Sequence, residues 1–227
     1  MTISMKKVLY LLMCSALFSL TGCDNFDDYY FKLENFETPK YYHYQDVTDS
    51  TNHYYWKISS YVDADSLVTE TFNQKFEKTE LFIEKFDRQG SLLITFDRFS
   101  NGDTLESLYE DGYVYQWYER RPYSYRMDHV DKNHKDVHET STYEYLSEDS
   151  ILIMGKMLGS IQYKCEYISR RDQEEFATSS INYYTQEYGL VKYIRESDRD
   201  SSTIELIEIL TETEWEERSG KDDNQIP

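Results

Sequence analysis

The sequence predicts a mainly β fold, one antiparallel meander sheet in a single domain that curls into a half-barrel or a closed barrel. Three observations carry that reading. Tyrosine is in large surplus, 23 residues against 8 glycines and 3 prolines, and aromatic rings suit a pleated, half-buried surface. Strand-length runs are split by Gly-bearing turns at about 10-residue spacing, the mark of an antiparallel sheet. Apolar and polar positions alternate, as in Ile161, Tyr163, Cys165 and Tyr167, which share one face only if the chain is extended.

The elements follow in order. Tyr41, Tyr42 and Tyr44 open a first strand after Pro39, and His53 to Val62 makes a second, with polar Asp46 to Asn52 turning between them. Leu67 to Phe86 is readable two ways: Phe72, Phe76, Ile83 and Phe86 approximate a helical stripe, and periodicity alone does not arbitrate. Strands are preferred because a meander follows. Asp87 to Gly90, Asn101 to Asp103 and Asp111-Gly112 are turns around Leu92 to Phe99, Thr104 to Tyr109 and Tyr113 to Tyr118. Asp128 to Thr140 has almost no apolar content and is expected to be an exposed loop dividing two groups of strands. Six more strands are expected at Thr142 to Ser147, Ile151 to Met157, Ser160 to Ser169, Phe176 to Thr185, Gly189 to Glu196 and Thr203 to Leu210.

The chain begins with a targeting segment. Lys6 and Lys7 precede an apolar run from Val8 to Leu20, shorter than the roughly 20 residues of a bilayer-spanning helix. Leu20-Thr21-Gly22-Cys23 resembles the lipobox of bacterial lipoproteins. The resemblance implies cleavage before Cys23 and acyl chains on its sulfur, hence palmitate and a permanent membrane anchor, since each buried methylene adds about 0.8 kcal/mol. It divides the chain into a signal peptide (1–22), an acylated tether (23–40), the β domain (41–215) and a disordered tail (216–227). Asp24, Asn25, Asp27 and Asp28 follow the cysteine. A lone aspartate there resembles an inner-membrane retention signal of enteric bacteria, and an acidic cluster resembles a surface-export signal of Bacteroidota; the cluster favours the outer membrane or cell surface. The stretch Tyr184 to Lys192 also resembles a hairpin of β-rich bacterial envelope proteins, which implies β architecture and no catalytic residue.

Composition excludes some partners. The chain carries 43 acidic and 24 basic side chains, net −19, and no basic stripe, so nucleic acid is not a partner. Cys14 leaves with the leader and Cys23 is acylated, which leaves Cys165 without an internal disulfide partner; it reads as a small buried hydrophobe.

Candidate sites are few. His129, His134 and His138 lie among Asp128, Asp131, Asp136 and Glu139, a composition that holds Zn²⁺ in other settings, but no accompanying ligand motif makes it a metal centre, and a solvated polar loop is the simpler reading. No phosphate loop, nucleophile elbow or paired-cysteine motif occurs, and no carboxylate pair stands out from the acids, so neither catalytic residue nor cofactor is assigned. Tyr113, Tyr115 and Trp117 place rings on alternate positions of one strand, a candidate ligand-binding platform. The resulting expectation is a lipid-anchored envelope protein, a non-catalytic binding or structural module. Its partners are the membrane and another envelope protein, a glycan or an apolar ligand. The alternatives are a lipocalin-like carrier of an apolar molecule, whose cavity ring-rich inward positions would fill, and a glycan-binding surface protein.

Overall fold

The computed structural model describes residues 26–100, 103–117, 120–131, 135–196 and 201–220. Cys23 with its leader, His134 and residues 221–227 lie outside the described residues. The alternation of apolar and polar side chains is expressed as twelve strands in chain order: β1 Lys40–Asp46, β2 His53–Tyr61, β3 Ser66–Phe72, β4 Lys78–Phe86, β5 Gly90–Ser100, β6 Asp103–Gln116, β7 Tyr123–Val130, β8 Asp136–Ile153, β9 Lys156–Arg171, β10 Glu174–Thr185, β11 Gly189–Glu196 and β12 Ser201–Leu210. Each runs antiparallel to its neighbours in sequence, and β1 pairs with β12, so the meander closes into a barrel. Tyr44 lies opposite Leu206 on one side and Tyr54 on the other. Register shifts at His43/Tyr44, Ile83/Glu84 and Tyr183/Tyr184 bend the strands, as bulges do.

The mainly β, antiparallel, single-domain expectation holds, and the curled sheet is fully closed. Leu67 to Phe86 is two strands, β3 and β4. Three expectations about the strands are corrected. Asp111-Gly112 is no turn between two strands: β6 runs through both, from Asp103 to Gln116. Asp128 to Thr140 is no long loop, because His129 and Val137 each face the core and their strands pair up to Val130 and Asp136. Thr142 to Ser147 and Ile151 to Met157 are not separate strands: β8 runs unbroken to Ile153, and the turn is Met154-Gly155, both at positive φ.

A barrel's bore widens with strand number, and about eight strands already give an interior that wall side chains just fill. With twelve strands, additional material is needed, and the chain supplies it from its N-terminal side. Residues read as a tether instead enter one end of the barrel in two single-turn helices, Asp27–Tyr29 and Leu33–Asn35. Phe26, Tyr30, Phe31, Leu33 and Phe36 are buried in the main core with Tyr42, Tyr115, Tyr163 and Tyr184, each contributing about 2 kcal/mol of apolar burial. The plug is stitched to the wall by backbone groups. The Phe26 N–H donates to the Trp117 carbonyl at 2.6 Å and the Ser60 N–H to the Phe36 carbonyl at 2.9 Å. The Tyr115 hydroxyl donates to the Phe26 carbonyl at 3.1 Å, and the Ser60 hydroxyl to the Leu33 carbonyl at 2.6 Å.

The presumed tail from residue 216 is likewise partly ordered. Helix α1, Glu212–Ser219, starts at a capping box between Thr211 and Glu214 and ends at left-handed Gly220. Trp215 is buried on the outer wall, stacked on Tyr41 at 4.9 Å and edge-on to Phe72 at 5.0 Å. Arg218 grips Glu208 through both terminal nitrogens. Apolar residues on the outward faces of β1, β2 and β3 require such a cover.

Candidate functional site: the half-filled barrel interior

The plug fills only one half of the bore. Its face, Tyr30 and Phe31, is the floor of a cavity of about 470 Å³. The walls are rings, Tyr54, Trp56, Tyr125, Tyr143, Tyr184 and Tyr193, interspersed with Thr69, Thr71, Asn182, Glu80 and Glu84. Asn73, Thr79 and Arg195, at the strand ends opposite the plug, form the rim. The volume falls in the range of small-molecule sites. Alternation explains the lining: Glu80, Phe82 and Glu84 fall on the inward face of β4, opposite Thr71, Thr69 and Leu67 of β3.

Two inward carboxylates meet different partners. Glu84 is fully buried and accepts hydrogen bonds from the Tyr30 hydroxyl at 2.7 Å and the Ser91 hydroxyl at 2.5 Å. Burial pushes its carboxyl above the ordinary range, and the two donors oppose that shift. Burial also raises the Tyr30 phenol well above its usual value, with the Glu84 charge adding to the effect. Glu80 lies beside Arg98, 3.4 Å from the Arg98 Nε. Burial raises the Glu80 carboxyl, and the guanidinium counters. Arg98 also reaches Glu139 through both terminal nitrogens, 3.2 and 3.4 Å away, and Glu139 accepts the Tyr167 hydroxyl at 2.6 Å. Burial pushes the nearby His129 imidazole below its ordinary value, against the Glu139 charge. Its Nδ1 is buried with no hydrogen-bond partner among the described residues. Burial pushes the Tyr125 phenol up to about 12. Of these groups, Tyr30, Glu80, Glu84 and Tyr125 line the cavity.

The residues nominated from sequence are spread apart. Tyr115 and Trp117 turn inward: Tyr115 stacks on Tyr30 at 4.5 Å, and the Trp117 indole N–H donates to the Asp87 carbonyl at 2.9 Å. Tyr113 points outward and hydrogen-bonds Asp87 and Gln89. The three rings therefore make no exposed platform; two of them are the seat of the plug. His129 and His138 lie on opposite faces, with His129 inside and His138 outside, bound to Asp128 at 2.7 Å. Among the described residues no group of three His, Cys, Asp or Glu side chains is placed to hold a metal ion. Cys165 is buried and inward, facing Tyr143 across the sheet. Sequence reasoning missed Trp56, Glu80, Glu84, Asn182 and Arg195. The available signal was an inward-facing acid in β4, legible only once the strand register was known.

No protein-family model matches the chain, and no curated protein matches it. The chain is similar to several solved structures, three of which follow. One, from Bacteroides fragilis, is described as an exported protein with a YmcC-like fold; it is 12% identical over 76% of this chain and 94% of that one, with a TM-score of 0.45. A second, described as a lipoprotein of Parabacteroides distasonis, is 11% identical over 76% and 95%, with a TM-score of 0.44. The third is the hypothetical lipoprotein YmcC from Escherichia coli, 10% identical over 92% and 97%, with a TM-score of 0.40.

Proposed function

We propose that the chain is a lipid-anchored bacterial cell-envelope protein, held by acyl chains on Cys23, that binds a small hydroxyl-bearing molecule inside its barrel without transforming it. The acidic residues after Cys23 favour the outer membrane or cell surface. One observation carries the ligand class: the cavity of about 470 Å³ combines ring faces, Trp56 and Tyr193 among them, with Asn182, Thr69, Thr71 and Glu80. Ring faces pack against the C–H face of a sugar while amides, hydroxyls and carboxylates meet its hydroxyls. Glu80 already has Arg98 and Asn182 has Ser180 beside it, but an alkyl chain would offer no hydrogen bond to this polar lining, which disfavours the apolar-carrier alternative. The fitting class is a saccharide of one or two rings.

Trp56 lines the cavity, so its emission reports occupancy. Titration with mono- and disaccharides, muramic-acid sugars included, is expected to give a saturable change that Trp56→Phe and Asn182→Leu abolish, with none from palmitate. A response to palmitate that survives Asn182→Leu would refute the saccharide reading. Acylation is read separately, by mass spectrometry of the mature N-terminus and by membrane release of Cys23→Ser.

A further inference from the structure

The β8–β9 hairpin outruns its neighbours. β7 stops pairing with β8 at Tyr143 and β10 stops pairing with β9 at Ser160, yet β8 and β9 continue together to Ile153 and Lys156. The overhang folds across the plugged end of the barrel. Ile151, Ile153 and Leu158 pack into the core, and the Lys156 ammonium holds the Glu187 carboxylate at 3.0 Å and the Tyr188 hydroxyl at 2.8 Å. Its outer face is apolar and bare: Leu152 is 58% and Met157 68% exposed, and the two are cross-strand partners. Tyr61, at the same rim, is 63% exposed.

The start of the plug lies at this end. The Phe26 ring stacks on Tyr145 at 5.5 Å, where the overhang begins. Only Asp24 and Asn25 separate Phe26 from Cys23, a reach of about 11 Å even when fully extended. The headgroup layer on one side of a bilayer is itself roughly 6 Å thick. A chain this short holds the barrel against the membrane surface instead of suspending it above.

We propose that the plugged end docks flush on a zwitterionic bilayer, with Leu152 and Met157 immersed in its interfacial layer and the cavity rim turned away from the membrane. This rests on the acyl anchor at Cys23 proposed above. Net charge of −19 opposes an anionic surface, so apolar immersion and the anchor provide the attachment.

The test uses acylated full-length protein on phosphatidylethanolamine–phosphatidylcholine vesicles. An environment-sensitive dye is placed at Leu152→Cys, Met157→Cys or, as opposite-end and side-wall controls, Val47→Cys and Phe176→Cys. Buried Cys165 is left in place, and the unsubstituted protein serves as labelling control. Emission at 152 and 157 is expected to shift to the blue on vesicle binding, with 47 and 176 unmoved. Floated, acylated protein with a water-like signal at 152 and 157, or a shift at 47 or 176 instead, overturns the docking and leaves the anchor standing. A blue shift of equal size in Cys23→Ser protein without vesicles reports a second copy on the hairpin and also overturns it. Absence of acyl chains from the mature N-terminus defeats the anchor and the docking together.

Discussion

Gly189 lies directly against the ring of Phe31: a Cβ built on Gly189 would stand 2.5 Å from Phe31 Cε1. The residue also sits at φ +68, in the left-handed region, so the hairpin between β10 and β11 needs glycine both for its turn and for the plug behind it. Gly189→Ala is expected to destabilise by about 3 kcal/mol, combining backbone strain with overpacking. In denaturant titration the double variant with Phe31→Ala is expected to lose less than the sum of the singles, because the ring that the new methyl strikes is gone. Strict additivity would show that the contact does not set the cost.

Glu84 makes stability depend on pH. Its carboxyl is raised in the folded barrel by burial and ordinary, about 4.3, in the unfolded chain. Between those values the native state binds the extra proton, so the stability this group contributes is complete below about pH 4 and is lost as pH climbs through the raised native value. Glu84→Gln removes that linkage. The free energy of unfolding of the native protein relative to Glu84→Gln is expected to fall from pH 4 to pH 8; a difference constant across that range would contradict the assignment.

Arg98 ties β4 to β8 through Glu80 and Glu139. Arg98→Leu leaves the buried Glu139 carboxylate without its cation and is expected to cost about 3–5 kcal/mol. Adding Glu139→Gln is expected to restore part of that loss, as read by thermal unfolding, because the stranded charge is removed. If the second substitution deepened the loss, the cost of Arg98→Leu would lie in packing.

On the outer wall, Trp215→Ala is expected to cost about 3 kcal/mol and to release α1, which a loss of protection of Trp215 and its neighbours in hydrogen exchange would register. Arg218→Ala, by contrast, removes an exposed grip on Glu208 and is expected to cost about 0.5 kcal/mol. Equal losses for the two would mean that the ion pair, not the indole, docks the helix.

The sheet was legible in the sequence because period-2 alternation and Gly-bearing turns are local signals. Gly189–Glu196 starts and stops where the pattern says. The plug was not legible for a physical reason. Phe26, Tyr30, Phe31, Leu33 and Phe36 fill an irregular bore from a coiling segment, so their spacing follows neither helix nor strand. Their density was the overlooked signal, since disordered tethers are poor in aromatics. Likewise, the tyrosines of β6 looked like an exposed platform because alternation says only that two faces exist. Which face is enclosed depends on closure between β1 and β12, a contact between distant ends of the chain. The cavity depends on both facts at once, barrel closure and a plug too short to fill the bore.

That closing seam has a temporal meaning. Tyr44 cannot meet Leu206 until nearly the entire polypeptide has been made, while local hairpins such as β8–β9 are free to form earlier. Such long-range pairing makes assembly slow, and until the last strand arrives both unpaired margins of the sheet stand open to association. The interval between synthesis and closure of the barrel is therefore when the newly made protein most needs an escort.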